Sequence, residues 1–302
     1  MIEGMLDTLP ETAVLKNHQN LRALCDTVIA EPPLGKRIAG WPRDPGLFAP
    51  LLDYLTDLRD GAVVYVRSDL LDRFFAEVFP RIEVRILLVT ATGDWATPGR
   101  HRHHLEDPRI LHWFGENCDL GTPHPKYEPV PAAFADPDQP FGDQAVLMRV
   151  HRCMPSVREK PLTAHASFHL RMSHPERQQV WQIVRHLPGV MPEPKRIPPE
   201  LLWVHHANHA FAISPRGNGR DCHRTWETLM LRTIPIVMTS PLDPVYAGFP
   251  VVIVEDWREI TPEAMARWRQ ERQDSFTAAM FRRLTIDHWA ERLRDAGGAS
   301  AR

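Results

Sequence analysis

The chain alternates between two hydrophobic patterns, of which the first is a short and nearly continuous apolar run. Six such runs lie at residues 62–66 (AVVYV), 84–90 (VRILLVT), 162–170, 210–214, 234–239 (IPIVMT) and 251–254 (VVIV). Runs of this length, rich in β-branched residues, are typical of strands that are buried on both faces. Such strands predict a parallel sheet covered by helices.

The second pattern has the period of a helix and lies between these runs. Residues 70–79 place four large apolar side chains on one side, and residues 176–186 place three there. The clearest helix start is Thr261 followed by Pro262, an N-cap hydroxyl before a proline in the first helical position. A long helical stretch is expected from there to about residue 297.

Alternating strands and helices predict βαβ units and therefore an α/β fold. The strands are too many for one small sheet, and the proline-rich and charged stretch at residues 136–160 is the natural boundary. We expect two Rossmann-like domains, residues 1–150 and residues 151–302, with the last helix packing back on the first domain. Loops are expected at the proline-rich residues 31–43, 129–141 and 188–199.

Composition and charge narrow the range of functions. The formal net charge of the 302 residues is -2, which offers no attraction to nucleic acid or to an anionic membrane. The four cysteines are far apart and argue against a zinc ribbon and a disulfide scaffold. The N-terminus is acidic where a secretion signal is basic, and no apolar run approaches membrane-spanning length. We expect a cytoplasmic protein without a transmembrane segment.

The most informative stretch is residues 211–237 (FAISPRGNGRDCHRTWETLMLRTIPIV), which reads as strand, glycine turn, helix and strand. Gly217 and Gly219 permit backbone conformations with positive φ, and their lack of side chains lets a ligand approach the main chain. Asp221 is expected to cap a helix that begins at Cys222, where the free N–H groups form an anion site. The turn therefore predicts a phosphate-binding site.

Charged side chains surround this turn. Arg216, Arg220 and Arg224 supply guanidinium groups for a phosphate. His223, Arg224 and Glu227 are spaced to share one helix face, and Glu227, one turn further on, can accept two hydroxyl groups of a ribose. This arrangement favours a nucleotide diphosphate. The alternative is a capped helix with a solvated Arg–Glu pair.

Residues 214–261 (SPRGNGRDCHRTWETLMLRTIPIVMTSPLDPVYAGFPVVIVEDWREIT) resemble the donor-binding region of the exostosin-like glycosyltransferases, with their Pro-Arg-Gly turn, Arg-x-x-Glu helix and Ile-Pro-Val strand. Weaker similarity extends backward through KPLTAHASFHLRMSHPERQQVW and into the first half through VYVRSDLLDRFF, RILLVTATGDW and LHWFGENCDLGTPHPKYEPVP. The resemblance covers about two thirds of the chain and covers the last quarter poorly.

The resemblance implies a GT-B architecture, in which two Rossmann-like domains face each other across a cleft and the second binds the nucleotide sugar. Arg216 and Arg224 fall where the family contacts the diphosphate, and Glu227 falls where it contacts the nucleoside. His223 stands where related members often carry a serine. The nucleotide-binding residues expected on this basis are Arg216, Gly217, Asn218, Gly219, His223, Arg224 and Glu227.

The implied activity is transfer of a sugar from a nucleotide-diphosphate sugar to a hydroxyl of a glycan or small-molecule acceptor. The retaining branch often carries an acid eight positions after the helix glutamate, where this chain has Pro235, so an inverting reaction is expected. Inverting transfer needs a base. Asp94 follows a predicted strand directly and is the first candidate for that base, ahead of Asp69 and Asp119. The alternative for Asp94 is a turn aspartate.

We expect no metal and no cofactor. The only literal Asp-x-Asp motif is Asp136-Pro137-Asp138, in a proline-rich loop. Two histidine clusters invite a metal site, but residues 203–206 read as strand or loop and no acid adjoins them. The clusters are His101, His103 and His104, and His205, His206 and His209.

Other functions remain open from the sequence. A non-catalytic nucleotide-binding protein of the Rossmann type would use the same glycine turn. A dehydrogenase would need a GxGxxG motif near its first strand, and no such motif follows residues 62–66. A histidine-rich metallohydrolase would need one cluster to converge on an ion. Trp226 is expected in the core, and Trp95 and Trp113 are candidates for stacking on an acceptor sugar.

Overall fold

The computed structural model describes residues 9–30, 58–170, 174–193 and 197–299. The loop expected at residues 31–43 lies outside the described residues. The first of two sheets has five parallel strands in sequential order, β1-β2-β3-β4-β5. These strands are β1 (Thr27–Ile29), β2 (Ala62–Arg67), β3 (Ile86–Ala91), β4 (Ile110–Gly115) and β5 (Tyr127–Pro129).

The second sheet is also parallel, in the order β10-β9-β8-β6-β7. Its strands are β6 (Ala164–Ala166), β7 (Val190–Pro192), β8 (Phe211–Ile213), β9 (Ile234–Met238) and β10 (Val252–Val254). The chain leaves β6 toward one edge of the sheet and leaves β8 toward the other. Open α/β sheets form a crevice at the carboxyl ends of two such strands.

Nine helices are described. They are α1 (His18–Arg22), α2 (Leu71–Arg73), α3 (Gln144–Cys153), α4 (Glu176–Val184), α5 (Pro199–Ala207), α6 (His223–Met230), α7 (Pro262–Arg272), α8 (Ala278–Arg282) and α9 (Ile286–Ala299). A π-helical turn at Phe74–Val78 continues α2. The predicted fold class, an α/β protein with two Rossmann-like parallel sheets, is confirmed. None of the helices in the described ranges is long and apolar enough to cross a membrane.

Each of the six apolar runs contains a strand, and the predicted start of α7 is confirmed because the Thr261 hydroxyl accepts the Ala264 N–H at 3.1 Å. The predicted C-terminal helical stretch is not one continuous helix. The chain instead forms α7, α8 and α9, because Thr277 caps a new helix through the Met280 N–H.

The last helix packs on a face of the first sheet. On α9, Trp289 and Leu293 are buried with Tyr65 and Val89 of β2 and β3. Arg292 of α9 also pairs with Glu128 of β5 at 2.6 Å. The C-terminal segment therefore contributes to the core of the N-terminal half. The predicted boundary between residues 150 and 151 falls inside α3 and stays a prediction.

A continuous apolar core joins the two halves. Leu147 and Met148 of α3 are buried in the same cluster as Trp203 of α5 and Leu229 of α6. Since this core spans both halves, it holds the carboxyl edges of the two sheets in a fixed relation around the cavity described below.

Candidate functional site

A cavity of about 900 Å³ lies where the carboxyl edges of the two sheets face each other. Loops that follow β3, β4 and β5 form one wall. The opposite wall consists of the loops after β6 and β8 together with the first turns of α6. This is the position at which open α/β sheets bind ligands.

The Asp221 carboxylate fixes the glycine turn to the opposite domain. It accepts the Ala132 N–H at 2.6 Å, the Trp226 indole N–H at 2.8 Å and the Cys222 N–H at 2.8 Å. Burial raises the pKa of Asp221 to about 6. The expectation that Asp221 caps α6 was wrong, because Cys222 is the N-cap and the aspartate instead connects the two halves of the molecule.

Two more hydrogen bonds cross the cleft at the same turn. The Asp221 N–H donates to Asn117 Oδ1 at 2.9 Å, and the Gly219 N–H donates to Asp94 Oδ1 at 3.0 Å. Asn117 has a left-handed φ of 52° and also donates to the Gly93 carbonyl at 2.9 Å. We call the three cross-domain bonds, Ala132 to Asp221, Asp221 to Asn117 and Gly219 to Asp94, the seam.

The glycines of the turn serve close packing. Neither Gly217 nor Gly219 has a positive φ, so the turn does not use the backbone freedom that these glycines offer. A Cβ on Gly219 would lie 2.9 Å from Asn117 Oδ1 and 3.2 Å from Asp94 Oδ1. A Cβ on Gly217 would lie 3.3 Å from a guanidinium nitrogen of Arg177. Other side chains therefore fill the space beside the α-carbons of these glycines, while the main chain of the turn still lines the cavity.

Two arginines of the cavity wall form no ion pair with the residues that the structure describes. Arg224 and Arg177 both line the cavity, and the Nη1 atom of Arg224 is buried with no hydrogen-bond partner in the described ranges. Neither guanidinium forms an ion pair there. Burial, with the charge of Arg177, lowers the pKa of Arg224 to about 10. A buried cation without a counterion is costly, so these groups favour an anionic ligand.

Arg177 was missed by the sequence analysis, and Arg216 does not occupy the expected place. The Arg216 guanidinium donates to the carbonyls of its own turn, at Gly217 (3.3 Å) and Asn218 (2.7 Å), and does not line the cavity. Arg177, on α4, donates its Nε to the Arg216 carbonyl at 2.6 Å. No local signal marks Arg177, because 39 residues separate it from that turn.

Glu227 lies in the same wall and is 4% exposed. Burial raises its pKa to about 7, although the Trp203 indole and the Arg224 guanidinium act in the opposite direction. The carboxylate is therefore partly protonated near neutral pH. A ligand that donates hydroxyl hydrogen bonds would favour its ionised form.

His223 is the first residue of α6 and lines the cavity. Its Nδ1 lies 3.0 Å from the Ala133 carbonyl oxygen, so Nδ1 carries the proton and Nε2 is left as an acceptor. Burial lowers the pKa of His223 to about 4, and the ring is neutral at physiological pH. It can accept a hydroxyl hydrogen bond.

Of the three acids considered as the base, only Asp94 lines the cavity. Asp69 accepts the Arg67 Nε–H at 2.6 Å, and Asp119 accepts the Gly99 N–H at 3.1 Å. Asp94 is exposed at the cavity mouth, where one of its oxygens belongs to the seam.

The histidine clusters have structural partners. Residues 203–206 form part of α5, so the strand or loop expected there was wrong. His206 is fully buried, with its Nδ1 3.0 Å from that of His165, and His209 Nδ1 lies 2.7 Å from the Thr163 hydroxyl. Within the described ranges, no group of three or more His, Cys, Asp or Glu side chains is arranged to hold a metal ion.

The remaining candidates divide into buried and exposed side chains. Asp136 accepts the Gln19 main-chain N–H at 2.8 Å, and Asp138 accepts the Gln19 side-chain amide at 3.0 Å. Trp113 is fully buried, with its indole N–H on the Thr90 hydroxyl, so it belongs to the core. Trp95 is 63% exposed beside Asp94.

Comparison with known proteins gives matches in structure only. No protein-family model and no curated protein sequence matches the chain. The α,α-trehalose-phosphate synthase (UDP-forming) from Burkholderia xenovorans, in complex with glucose-6-phosphate, has 11% identity and a TM-score of 0.42 over 82% of this chain and 75% of its own. The trehalose-6-phosphate protein from E. coli bound with UDP-2-fluoro glucose has 11% identity and a TM-score of 0.47, over 82% and 76%. At this level of similarity, the cavity residues determine what function can be inferred.

Removing the seam acceptor at Asp94 should weaken the closed arrangement. We expect Asp94→Ala to lower the free energy of unfolding by about 0.5–1.5 kcal/mol, because the Gly219 N–H loses its partner, and Asp94→Asn to cost less, because the amide oxygen can still accept. Urea denaturation measures both variants. Equal stability of Asp94→Ala and the wild type would exclude a contribution of this bond.

Arg224 should govern the binding of anions. We expect Arg224→Ala to weaken the affinity for inorganic pyrophosphate by about tenfold or more, since a charged hydrogen bond contributes about 1.5–3 kcal/mol. Titration calorimetry measures the affinity, with Arg216→Ala as the matched control because its guanidinium lies outside the cavity. Unchanged affinity in Arg224→Ala, or an equal loss in Arg216→Ala, would contradict the assignment.

Proposed function

We propose that this chain is a glycosyltransferase that moves a sugar from a nucleotide-diphosphate sugar to an acceptor hydroxyl. The observation that carries the proposal is a combination of groups on one cavity wall. Two guanidinium groups that form no ion pair with the described residues lie there beside a buried carboxylate. Arg177 and Arg224 suit a diphosphate, and Glu227 suits the hydroxyl groups of a ribose. Few other ligands carry both chemistries.

The donor would lie along the first turns of α6. Its diphosphate meets the two guanidinium groups and the positive end of the helix dipole, which together offset its charge. The main chain of the turn formed by Gly217, Asn218 and Gly219 borders the same space. His223, whose Nε2 is an acceptor, is placed to receive a hydroxyl of the transferred sugar.

The two guanidinium groups of the wall fit a transfer without a metal ion, and we propose that the transfer is inverting because Pro235 stands where the retaining branch often carries an acid. Arginines that face a departing diphosphate supply the positive field that a metal ion supplies in other enzymes. We propose that the reaction uses no metal and no cofactor. The acceptor, a glycan or a small molecule with a free hydroxyl, would approach from the first-domain wall. A base must stand there.

We also propose that the chain belongs to the exostosin-like family of glycosyltransferases. This membership is supported by the Pro-Arg-Gly turn at residues 215–217 and by Arg224 and Glu227, the Arg-x-x-Glu pair of the helix, because turn and helix both border the cavity. Arg216, which the resemblance assigns to the diphosphate, would reach it only by leaving its contacts with the turn.

A two-step experiment tests the function. Thermal unfolding with a panel of nucleoside diphosphates identifies the base, since a ligand at 100 times its dissociation constant stabilises by about 2.7 kcal/mol. Release of that nucleoside diphosphate from the matching nucleotide sugars is then measured with glycan and small-molecule acceptors in EDTA. We expect release that depends on the acceptor. Activity lost in EDTA and restored by a divalent ion would exclude the metal-free reaction, and binding without transfer would indicate a nucleotide-binding module.

Glu227 should make nucleotide binding dependent on pH. The ribose hydroxyls donate to the ionised carboxylate, so binding favours the form without the proton. With a free-state pKa of about 7, affinity should fall about tenfold between pH 8 and pH 6. Calorimetry on wild type and Glu227→Gln separates this effect from titration of the ligand, which both proteins share. Identical pH profiles would exclude the ribose contact.

A further inference from the structure

A carboxylate and an imidazole form a close pair on the first-domain wall, outside the residues that the sequence analysis singled out. Glu116 follows β4 directly and is 2% exposed. Its Oε1 accepts the Lys16 ammonium at 2.6 Å, and its Oε2 accepts the Thr92 N–H at 3.1 Å. The same Oε2 lies 3.0 Å from His18 Nε2. Glu116 is thus held in one orientation by three partners from two segments of the chain.

The neighbours of Glu116 keep its carboxylate ionised. Burial opposes ionisation of Glu116, but the charges of His18 and Lys16 outweigh it and hold the pKa of Glu116 well below its usual range. An ionised carboxylate can only accept hydrogen bonds. Nε2 of His18 therefore carries a proton, and in the neutral ring, which is the form that acts as a base, Nδ1 carries the lone pair.

The His18 imidazole lies at the end of the cavity where sugar transfer would take place. His18 lines the cavity, and its ring centre lies 5.8 Å from that of His223, the first residue of α6. The proposed donor places its diphosphate at the start of α6, so His18 faces the reacting end from the opposite domain. Asp136 Oδ2 is 3.9 Å from His18 Nδ1, beyond hydrogen-bond distance, and the main-chain N–H of Gln19 already binds Asp136 Oδ1.

We propose that His18 is the catalytic residue that takes the proton of the acceptor hydroxyl, with Glu116 as its positioning residue; this rests on the proposed function. The acceptor oxygen forms a bond to the anomeric carbon while the bond from that carbon to the diphosphate breaks. The electron pair of the broken bond leaves with the diphosphate, and the hydroxyl proton moves to Nδ1 of His18 and then to water. Glu116 stabilises the imidazolium, as a carboxylate behind a catalytic histidine does.

This assignment differs from the choice of Asp94. Asp94 is exposed, and its Oδ1 already accepts the Gly219 N–H. His18 is backed by a fixed carboxylate and enclosed by the cavity wall. A carboxylate behind the ring keeps it in one orientation and in the tautomer that a base requires.

His18→Ala tests the catalytic role, with nucleoside diphosphate affinity as a second readout. We expect kcat to fall by roughly 10²–10⁴, the range for loss of a general base, while Kd changes less than about threefold. Free imidazole should restore part of the lost turnover. His124→Ala is the matched control, because His124 also lies near a glutamate, 3.5 Å from Glu106, but outside the cavity.

The pH profile tests the positioning role of Glu116. The charged and titratable groups around the His18 ring are Glu116, Asp136 and His223, with Lys16 and Arg22 behind the two carboxylates. We expect Glu116→Gln to move the acid limb of kcat to lower pH, because the imidazolium loses its counterion. Lys16→Met combined with Glu116→Gln avoids leaving a buried ammonium unpaired and should show the same displacement.

Three results would overturn the proposal. They are normal turnover in His18→Ala, loss of turnover in proportion to loss of nucleotide affinity, and loss of turnover in Asp94→Asn but not in His18→Ala. A wild-type protein that transfers no sugar from any donor would overturn the proposed function itself, and this inference with it. An active wild type with an active His18→Ala would overturn this inference alone.

Discussion

The buried carboxylate of Asp221 is the group on which the cavity depends. It takes three N–H donors, one of them from the opposite domain, and these offset the cost of removing a charge from water. Because Trp226 and Cys222 are among the donors, the same bonds fix the start of α6. The positions of His223, Arg224 and Glu227 on the cavity wall follow from that start.

Unlike the seam, where each polar group has a partner, the cavity wall of the second domain contains cationic groups that form no ion pair with the described residues. Arg224 keeps a buried N–H without a partner in the described ranges, beside a second cationic side chain, Arg177. A buried charged group without a protein partner is a candidate ligand-binding group, because a bound ligand of opposite charge can supply the missing interaction. On the opposite wall, by contrast, the buried Glu116 carboxylate is paired with both Lys16 and His18. One wall is therefore built to bind charge, and the other to hold a base in position.

Local patterns predict the elements well. Apolar runs locate β2, β3, β6, β8, β9 and β10, and the spacing of residues 223–227 places three side chains toward one cavity. The strands β5 and β7 were missed because each ends in a proline at or inside a predicted loop, and β1 because its short apolar run leads into the proline-rich residues 31–43. The strand β4 was missed because His112 interrupts its apolar run.

Long-range contacts are what the sequence does not reveal. Arg177 reaches the turn from α4, and His18 meets Glu116 across 98 positions of the chain. The position of Arg177 depends on the opposite directions in which the chain leaves β6 and β8. The position of Glu116 depends on the place of β4 in the first sheet. The glycines show the same limit: they permit positive φ, but Gly219 is required because Asn117 and Asp94 approach it from the other domain.

A crystal structure of the protein with a nucleoside diphosphate tests the central claim most directly. The phosphates should contact the guanidinium groups of Arg224 and Arg177, and the ribose hydroxyls should contact the Glu227 carboxylate, with the terminal phosphate facing His18. Phosphates bound away from both arginines, or a ribose directed away from Glu227, would contradict the account.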